Sequence, residues 1–177
     1  MDTPTMTMLG EASVGFKVFQ LFLRWWRALF VTGILIMNSI FLGMMNSHDL
    51  HVNRSIVIAE GFAAAGAAWG CIDMIFGICS AFCCIPLMAI PLEGFMTGCY
   101  VFIATVYKQA LRDCKGYADT PFGEIMGMDG LPSVRDSCGM QKANFALSIV
   151  AAVLSGGCIL MEILHTAICC TVLSNDF

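Results

Sequence analysis

Charged residues are scarce in this sequence. Asp, Glu, Lys and Arg make up 12% of its 177 residues, whereas a soluble domain averages about 25%. The formal net charge is -4 and there is no run of basic residues, so nothing indicates a nucleic-acid partner. The sequence also lacks a phosphate-binding loop, a Ser-His-Asp arrangement and a cofactor fingerprint. We therefore expect no enzymatic activity and no cofactor.

The sequence is equally poor in targeting and repeat signals. It has no repeat of solenoid length, no heptads and no low-complexity tract. The first residues, "MDTPTMTMLGEASVG", are polar and do not form a basic start followed by a short apolar core. We therefore expect the first membrane helix to act as its own uncleaved insertion signal.

Apolar residues are abundant instead. They make up 58% of the chain, and the mean hydropathy is +0.79. A soluble domain of this length could not bury so much apolar surface in one core. The sequence therefore predicts an integral membrane protein.

Four apolar segments are long enough to span a bilayer, which takes about 20 mostly apolar residues. The block from Ser55 to Tyr107 holds 53 residues and would reach about 80 Å as one helix, so it must fold back between Cys79 and Pro86. We predict an all-α, four-helix membrane bundle with both termini on the same side, as a single domain over residues 1–177. Its predicted spans are approximately 20–45, 56–78, 83–107 and 144–172, with a long loop over 108–142.

The orientation of the bundle is predicted differently by two rules. The terminal side carries Lys17, Arg24 and Arg27, which we expect at the headgroups beside the interface anchors Trp25 and Trp26. The opposite side carries six basic residues, which favours a cytosolic long loop: Arg54, Lys108, Arg112, Lys115, Arg135 and Lys142. The pair of loop cysteines points to an oxidising compartment for that loop instead.

Eight of the ten cysteines lie in or beside predicted spans, and two lie in the long loop. Cys114 and Cys138 bracket the loop, and we predict a disulfide between them that stabilises the fold by roughly 3–4 kcal/mol; the alternative is two free thiols. Four others lie beside span ends on the terminal side, where acylation is possible: Cys83, Cys84, Cys169 and Cys170. The alternative for these four is that each serves as a small apolar residue.

Four acidic residues fall within predicted spans: Glu60, Asp73, Glu93 and Glu162. Glu60 lies about one turn inside span two and can reach the interface. Asp73, Glu93 and Glu162 would each be costly in the membrane, and we expect Asp73 and Glu93 to face the bundle interior. They could fix helix packing as neutral, hydrogen-bonded carboxyls, since a low dielectric favours the protonated form; they could also contact lipid headgroups or form a proton path. Glu162 also lies three residues before His165 and could pair with it, unless both lie wetted at the headgroups. No His or Cys has metal-ligand spacing, so we expect no metal.

Span two contains small residues at four-residue spacing, in "AEGFAAAGAAWG". Gly66 and Gly70 form a GxxxG motif, which allows close approach of helix backbones. Two alternatives remain open: packing within one chain, or self-association between chains.

Several of these segments together resemble the fungal MARVEL-type four-span proteins, and more narrowly the non-classical-export, eisosome-associated branch. The likeness covers roughly residues 20–170 and rests on "MMNSHDLHVNRS", "IDMIFG", "IPLMAIPLEGF" and "CGMQKANFALSIV". One departure is Glu93, where the family usually has Asp. The resemblance implies a plasma-membrane protein with cytosolic termini and no known chemistry.

The resemblance also implies a function, the organisation of lateral membrane compartments in response to sphingolipid. The partners would be a sphingolipid- and sterol-rich bilayer, further copies of the chain, and peripheral scaffold proteins on the cytosolic face. Two alternatives are a small channel or proton-coupled transporter that uses the intramembrane carboxylates, and a vesicle-trafficking factor.

Overall fold

The part of the chain that the structure describes forms four long helices. The computed structural model describes residues 3–50, 53–79, 85–108, 120 and 132–175, with side chains for 15–50, 53–77, 89–108, 120 and 132–167. The helices are α1 (Thr3–Ser47), α2 (Arg54–Cys79), α3 (Ile85–Val106) and α4 (Val134–Asn175). Each contains a segment long and apolar enough to cross a membrane: Gly15–Ser47, Arg54–Gly77, Ala89–Val106 and Val134–Ala167. The described part of the chain is entirely helical outside its turns, in agreement with the predicted four-span bundle.

The four helices pack side by side in a closed ring. α1 contacts α2 and α4, and α3 contacts the same two helices. Arg24, early in α1, touches Glu162, late in α4, while Asn38 touches Asn144, so α1 and α4 run in opposite directions. The start of α1 and the finish of α4 thus share one end of the bundle, here called the terminal end; the opposite end is called the loop end.

Local sequence explains where the helices begin and stop at the loop end. Asp49 adopts a left-handed conformation with φ 52°, and the Leu50 amide donates to the Met45 carbonyl at 2.9 Å, which is the Schellman stop of α1. The Asn53 side chain accepts a hydrogen bond from the Ser55 amide at 3.0 Å and so caps α2.

The fourth helix begins ten residues before the predicted span. Ser133 caps it: its hydroxyl accepts from the Asp136 amide at 3.2 Å and donates to the Asp136 carboxylate at 2.7 Å. The turns that follow include buried polar residues, Ser137 and Gln141. The same turns carry exposed charged residues, Arg135 and Lys142, so a hydropathy criterion misses this part of the helix.

An apolar layer fills the middle of the bundle. Tyr100 is fully buried there, and its hydroxyl lies 2.8 Å from the position that a Cβ on Gly66 would take. A Cβ on Gly70 would lie 3.4 Å from the Cβ of Ala28. Both glycines of the GxxxG motif therefore face neighbouring helices of the same chain, which is the intramolecular alternative. The core of this layer comprises Val31, Ile34, Ala59, Ala63, Met96, Tyr100, Ile103, Tyr107 and Ala151.

A buried charge cluster as the candidate functional site

Two arginines of α1 point into the bundle. Arg24 and Arg27 are three residues apart and so share a helix face, and they are only 7% and 1% exposed. They therefore point into the bundle and do not face outward to the headgroups as predicted. Their neighbours Trp25 and Trp26 face outward, as expected for interface anchors. Lys17 is exposed as well.

The arginines are buried because the other three helices supply acids. Arg27 pairs through Nη1 with Glu93 Oε1 and through Nη2 with Asp73 Oδ2 at 2.6 Å. Arg24 pairs through Nη1 with Asp73 Oδ1 at 3.1 Å and through Nη2 with Glu162 Oε1 at 2.5 Å. Asp73 thus bridges both guanidinium groups, one oxygen to each. We call Arg24, Arg27, Asp73, Glu93 and Glu162 the charge cluster.

Glu93 has the fullest set of donors in the charge cluster. Besides Arg27, its Oε1 accepts from the indole nitrogen of Trp69 at 3.3 Å, and its Oε2 accepts from the Ser155 hydroxyl at 2.7 Å. Its carboxylate is 0% exposed. A buried ion in a membrane persists only when it is paired and hydrogen-bonded, and Glu93 meets both conditions.

All four helices contribute to the charge cluster. The three acids that the sequence predicts to lie in the membrane meet in one place. Arg24 and Arg27, which were predicted to face the headgroups, join them there. Among the described residues, no three His, Cys, Asp or Glu side chains form a group that could hold a metal ion. The charge cluster therefore joins the four helices through buried ion pairs.

Glu162 and His165 do not pair. Glu162 turns to Arg24 and is 1% exposed, so the alternative of a wetted carboxylate at the headgroups is wrong. The His165 ring stacks on Phe16, with ring centroids 6.3 Å apart. Arg24 outcompetes His165 because a guanidinium is permanently charged.

The depth of the charge cluster follows from helix geometry. Arg27 precedes Met45, which lies near the loop end of α1, by 18 residues, or about 27 Å at 1.5 Å per residue. The hydrocarbon core of a bilayer is roughly 30 Å thick. The charge cluster therefore lies in the part of the membrane nearest the terminal end, at the level of the outward-facing tryptophans.

A second polar group lies toward the loop end. The Asn38 carboxamide oxygen accepts from the Tyr107 hydroxyl at 2.7 Å and from the Asn144 amide at 2.8 Å. All three side chains are buried, and we call them the amide cluster. They carry no charge, and they join α1, α4 and the residue that follows α3.

The buried face of α4 connects the levels of the two clusters. Nine of the described α4 side chains are buried, and each is polar or small: Ser137, Cys138, Gln141, Asn144, Ser148, Ala151, Ser155, Cys158 and Glu162. Several large apolar residues of this helix, such as Val153 and Leu160, point outward, while Phe145 and Leu147 pack against the apolar layer. The polar face of α4, from Ser137 to Glu162, spans 25 steps along the chain, or about 38 Å, which is more than the thickness of the hydrocarbon core.

The predicted cysteine sites are described only in part. Cys138 is buried and is not a free thiol, but Cys114 lies outside the described residues, so the disulfide between them stays a prediction. Cys83 and Cys84 also lie outside the described residues. Cys169 and Cys170 lie in α4, with side chains outside the described part, so their acylation is equally untested.

No family model, no curated protein and no solved structure matches the chain. The likeness to the fungal MARVEL-type proteins accordingly rests on the four quoted segments. What that likeness implies about function is taken up below as a proposal.

Proposed function

We propose that this protein is a non-enzymatic, multi-pass plasma-membrane protein that organises lateral membrane compartments. Its partners in this role are a sphingolipid- and sterol-rich bilayer, further copies of itself, and peripheral scaffold proteins on the cytosolic face. The observation that supports the proposal is the charge cluster. Because its arginines and acids engage one another inside the chain, the four helices act as one body with an apolar exterior.

The exterior is where such a protein would work. Each helix presents large apolar side chains outward, for example Trp25 on α1, Ile75 on α2, Phe95 on α3 and Val153 on α4. In a bilayer these side chains contact acyl chains, and helix association there depends on packing rather than on a hydrophobic drive. A rigid bundle with this surface is suited to selecting its lipid neighbours and neighbouring copies.

One observation favours a second candidate, a small channel or proton-coupled transporter. The polar face of α4 extends across the thickness of a hydrocarbon core, and transport pathways in membrane proteins are lined by inward-facing polar residues. Against this candidate, both oxygens of Asp73 and both of Glu93 are already engaged by donors of the same chain. Proton uptake by proteoliposomes no faster than that of empty vesicles would reject it.

We propose cytosolic termini for the bundle. In support, Cys138 is not a free thiol, and its predicted partner lies in the same loop, which suits an oxidising exterior. The basic residues argue the other way. With Arg24 and Arg27 engaged inside the bundle, Lys17 is the exposed cation described at the terminal end, whereas Arg54, Lys108, Arg135 and Lys142 are exposed at the loop end.

One imaging experiment tests both proposals. A pH-sensitive fluorescent protein is fused after Phe177, and the cells are imaged before and after sphingolipid synthesis is blocked. We expect static cell-surface patches that disperse when sphingolipid falls, and a signal that is not quenched when the medium is acidified. An even surface signal indifferent to sphingolipid would contradict the organising role, moving internal vesicles would indicate trafficking, and quenching would reverse the topology.

A further inference from the structure

The charge cluster contains more acids than bases. Asp73, Glu93 and Glu162 face two guanidinium groups, so the fully ionised cluster would carry one net negative charge. An uncompensated buried charge is strongly unfavourable in a protein interior and more so in a membrane. Charge balance therefore requires one bound proton or one bound cation.

The hydrogen bonds show which acid has room for a proton. Both oxygens of Asp73 pair with guanidinium groups, and both oxygens of Glu93 accept hydrogen bonds from several donors. In Glu162, Oε1 pairs with Arg24, while Oε2 is buried and has no hydrogen-bond partner among the described residues. A proton on Oε2 displaces no existing hydrogen bond.

We propose that Glu162 is a proton-binding site, with the proton on Oε2 making the charge cluster neutral. The reaction is a simple acid–base exchange: a proton from water at the terminal end forms an O–H bond at Oε2, and its release leaves the carboxylate. This site is an activity beyond lateral membrane organisation and does not depend on it. The charged groups that interact with it are Arg24 on α1, Asp73 on α2 and Glu93 on α3. On α4 itself the titratable residues about one turn away are Cys158 and His165.

The position of Glu162 suits exchange better than that of its neighbours. Glu162 is the one member of the charge cluster on α4. Its partner Arg24 is the more exposed of the two arginines. Arg24 Nε is likewise buried and without a hydrogen-bond partner among the described residues. The Arg24–Glu162 pair is thus the incompletely bonded side of the charge cluster.

A bound proton makes the stability of the bundle depend on pH. The folded chain binds one proton more than the unfolded chain at neutral pH, since an exposed Glu is ionised there. Linkage then requires stability to fall as pH rises through the range in which Glu162 releases its proton. Glu162→Gln keeps the shape and neutrality of the protonated acid, so its stability should not change over that range.

The test uses the full chain in lipid nanodiscs and compares three amide variants. We expect Glu162→Gln to unfold within a few degrees of the parent protein, whereas Asp73→Asn and Glu93→Gln unfold at clearly lower temperature because each removes a charge that a guanidinium needs. Ile163→Ala, an exposed neighbour, is the matched control. Loss of stability in Glu162→Gln equal to that in Asp73→Asn would overturn the proposal.

A second measurement does not depend on the variants being stable. Infrared spectroscopy of the parent protein at neutral pH should show the carbonyl stretch of a protonated carboxyl, with the shift expected on exchange into heavy water. Glu162→Gln should lack that band. Absence of the band in the parent protein, or its persistence in the variant, would show that the proton is elsewhere or that a cation balances the charge instead.

Discussion

The charge cluster and the amide cluster both bury polar side chains between membrane helices, but they satisfy those side chains differently. The charge cluster near the terminal end draws on all four helices, because a guanidinium or a carboxylate in a membrane needs a partner for its whole charge. The amide cluster near the loop end joins three side chains through one carboxamide oxygen, Asn38 Oδ1. Neutral groups require only a hydrogen bond. Among the described residues each cluster leaves two buried side-chain atoms without a hydrogen-bond partner: Asn38 Nδ2 and Asn144 Oδ1 in the amide cluster, Arg24 Nε and Glu162 Oε2 in the charge cluster.

The comparison implies unequal costs of disruption. Removing one partner of a buried ion pair costs about 3–5 kcal/mol, because the other charge stays buried without compensation. A hydrogen bond between membrane helices contributes far less, about 0.6 kcal/mol on average and up to about 2 kcal/mol. The charge cluster should therefore dominate the stability of the bundle, although both clusters are equally buried.

The largest effect is expected from Arg27→Met. The side chain is fully buried and pairs with both Asp73 and Glu93, so its replacement should lower the free energy of unfolding by about 3–5 kcal/mol. Reversible unfolding in mixed micelles measures the loss. Trp26→Met, one position earlier and facing outward, is the control and should change little.

A loss of stability in Arg27→Met no larger than that of a substitution in the amide cluster would contradict this comparison. If the loss is large, adding Glu93→Gln should recover part of it, since this change removes one of the two carboxylates left without Arg27. Recovery supports an electrostatic origin of the effect. A double variant as unstable as the sum of both single variants would point to packing instead.

A smaller effect is expected from Asn38→Ala. This change leaves the Tyr107 hydroxyl and the Asn144 amide without their shared acceptor, and we expect a loss of about 1–2 kcal/mol. Ile40→Ala, on the outward side of the same helix, controls for the change in helix packing. A loss of unfolding free energy as large as that of Arg27→Met would mean that the neutral cluster stabilises the bundle as much as the charged one.

The smallest effect is expected in the apolar layer between the clusters. In Gly66→Ala the new Cβ would lie 2.8 Å from the Tyr100 hydroxyl and 3.1 Å from Val31 Cγ1. This crowding should outweigh the roughly 1 kcal/mol gained in helix propensity, for a net loss of about 1 kcal/mol or less. The unfolding measurement used above also applies here.

Two controls sharpen the Gly66 prediction. Gly61→Ala, with open space around its Cβ, should stabilise the protein slightly. Tyr100→Phe removes the oxygen that Gly66→Ala approaches most closely, so the double variant should be more stable than the sum of the single changes predicts. Additive effects would contradict the close contact between α2 and α3.

The sequence predicted the helices better than it predicted their contacts. Apolar segments of spanning length identify all four helices, and the cost of burying a charge predicts that Asp73 and Glu93 face the interior, where both lie. Glu162, for which a wetted position at the headgroups remained open, is buried with them. The helix α4 begins ten residues before its predicted span because charged residues in its first turns, such as Arg135 and Lys142, lower the hydropathy of a segment that is nevertheless helical. Arg24 and Arg27 were misplaced because an arginine beside two tryptophans near the start of a span is typical of an interface anchor.

Hydropathy and segment length are enough to predict four spanning helices, because both are read residue by residue and need no knowledge of neighbours. Which charges meet depends on the tertiary structure. Whether Arg27 faces headgroups or Glu93, whether Glu162 pairs with His165 or Arg24, and whether Gly66 faces its own chain depend on how the helices are rotated and ordered around the bundle. Those choices are fixed by contacts between residues up to 138 positions apart, which no local pattern in the sequence records.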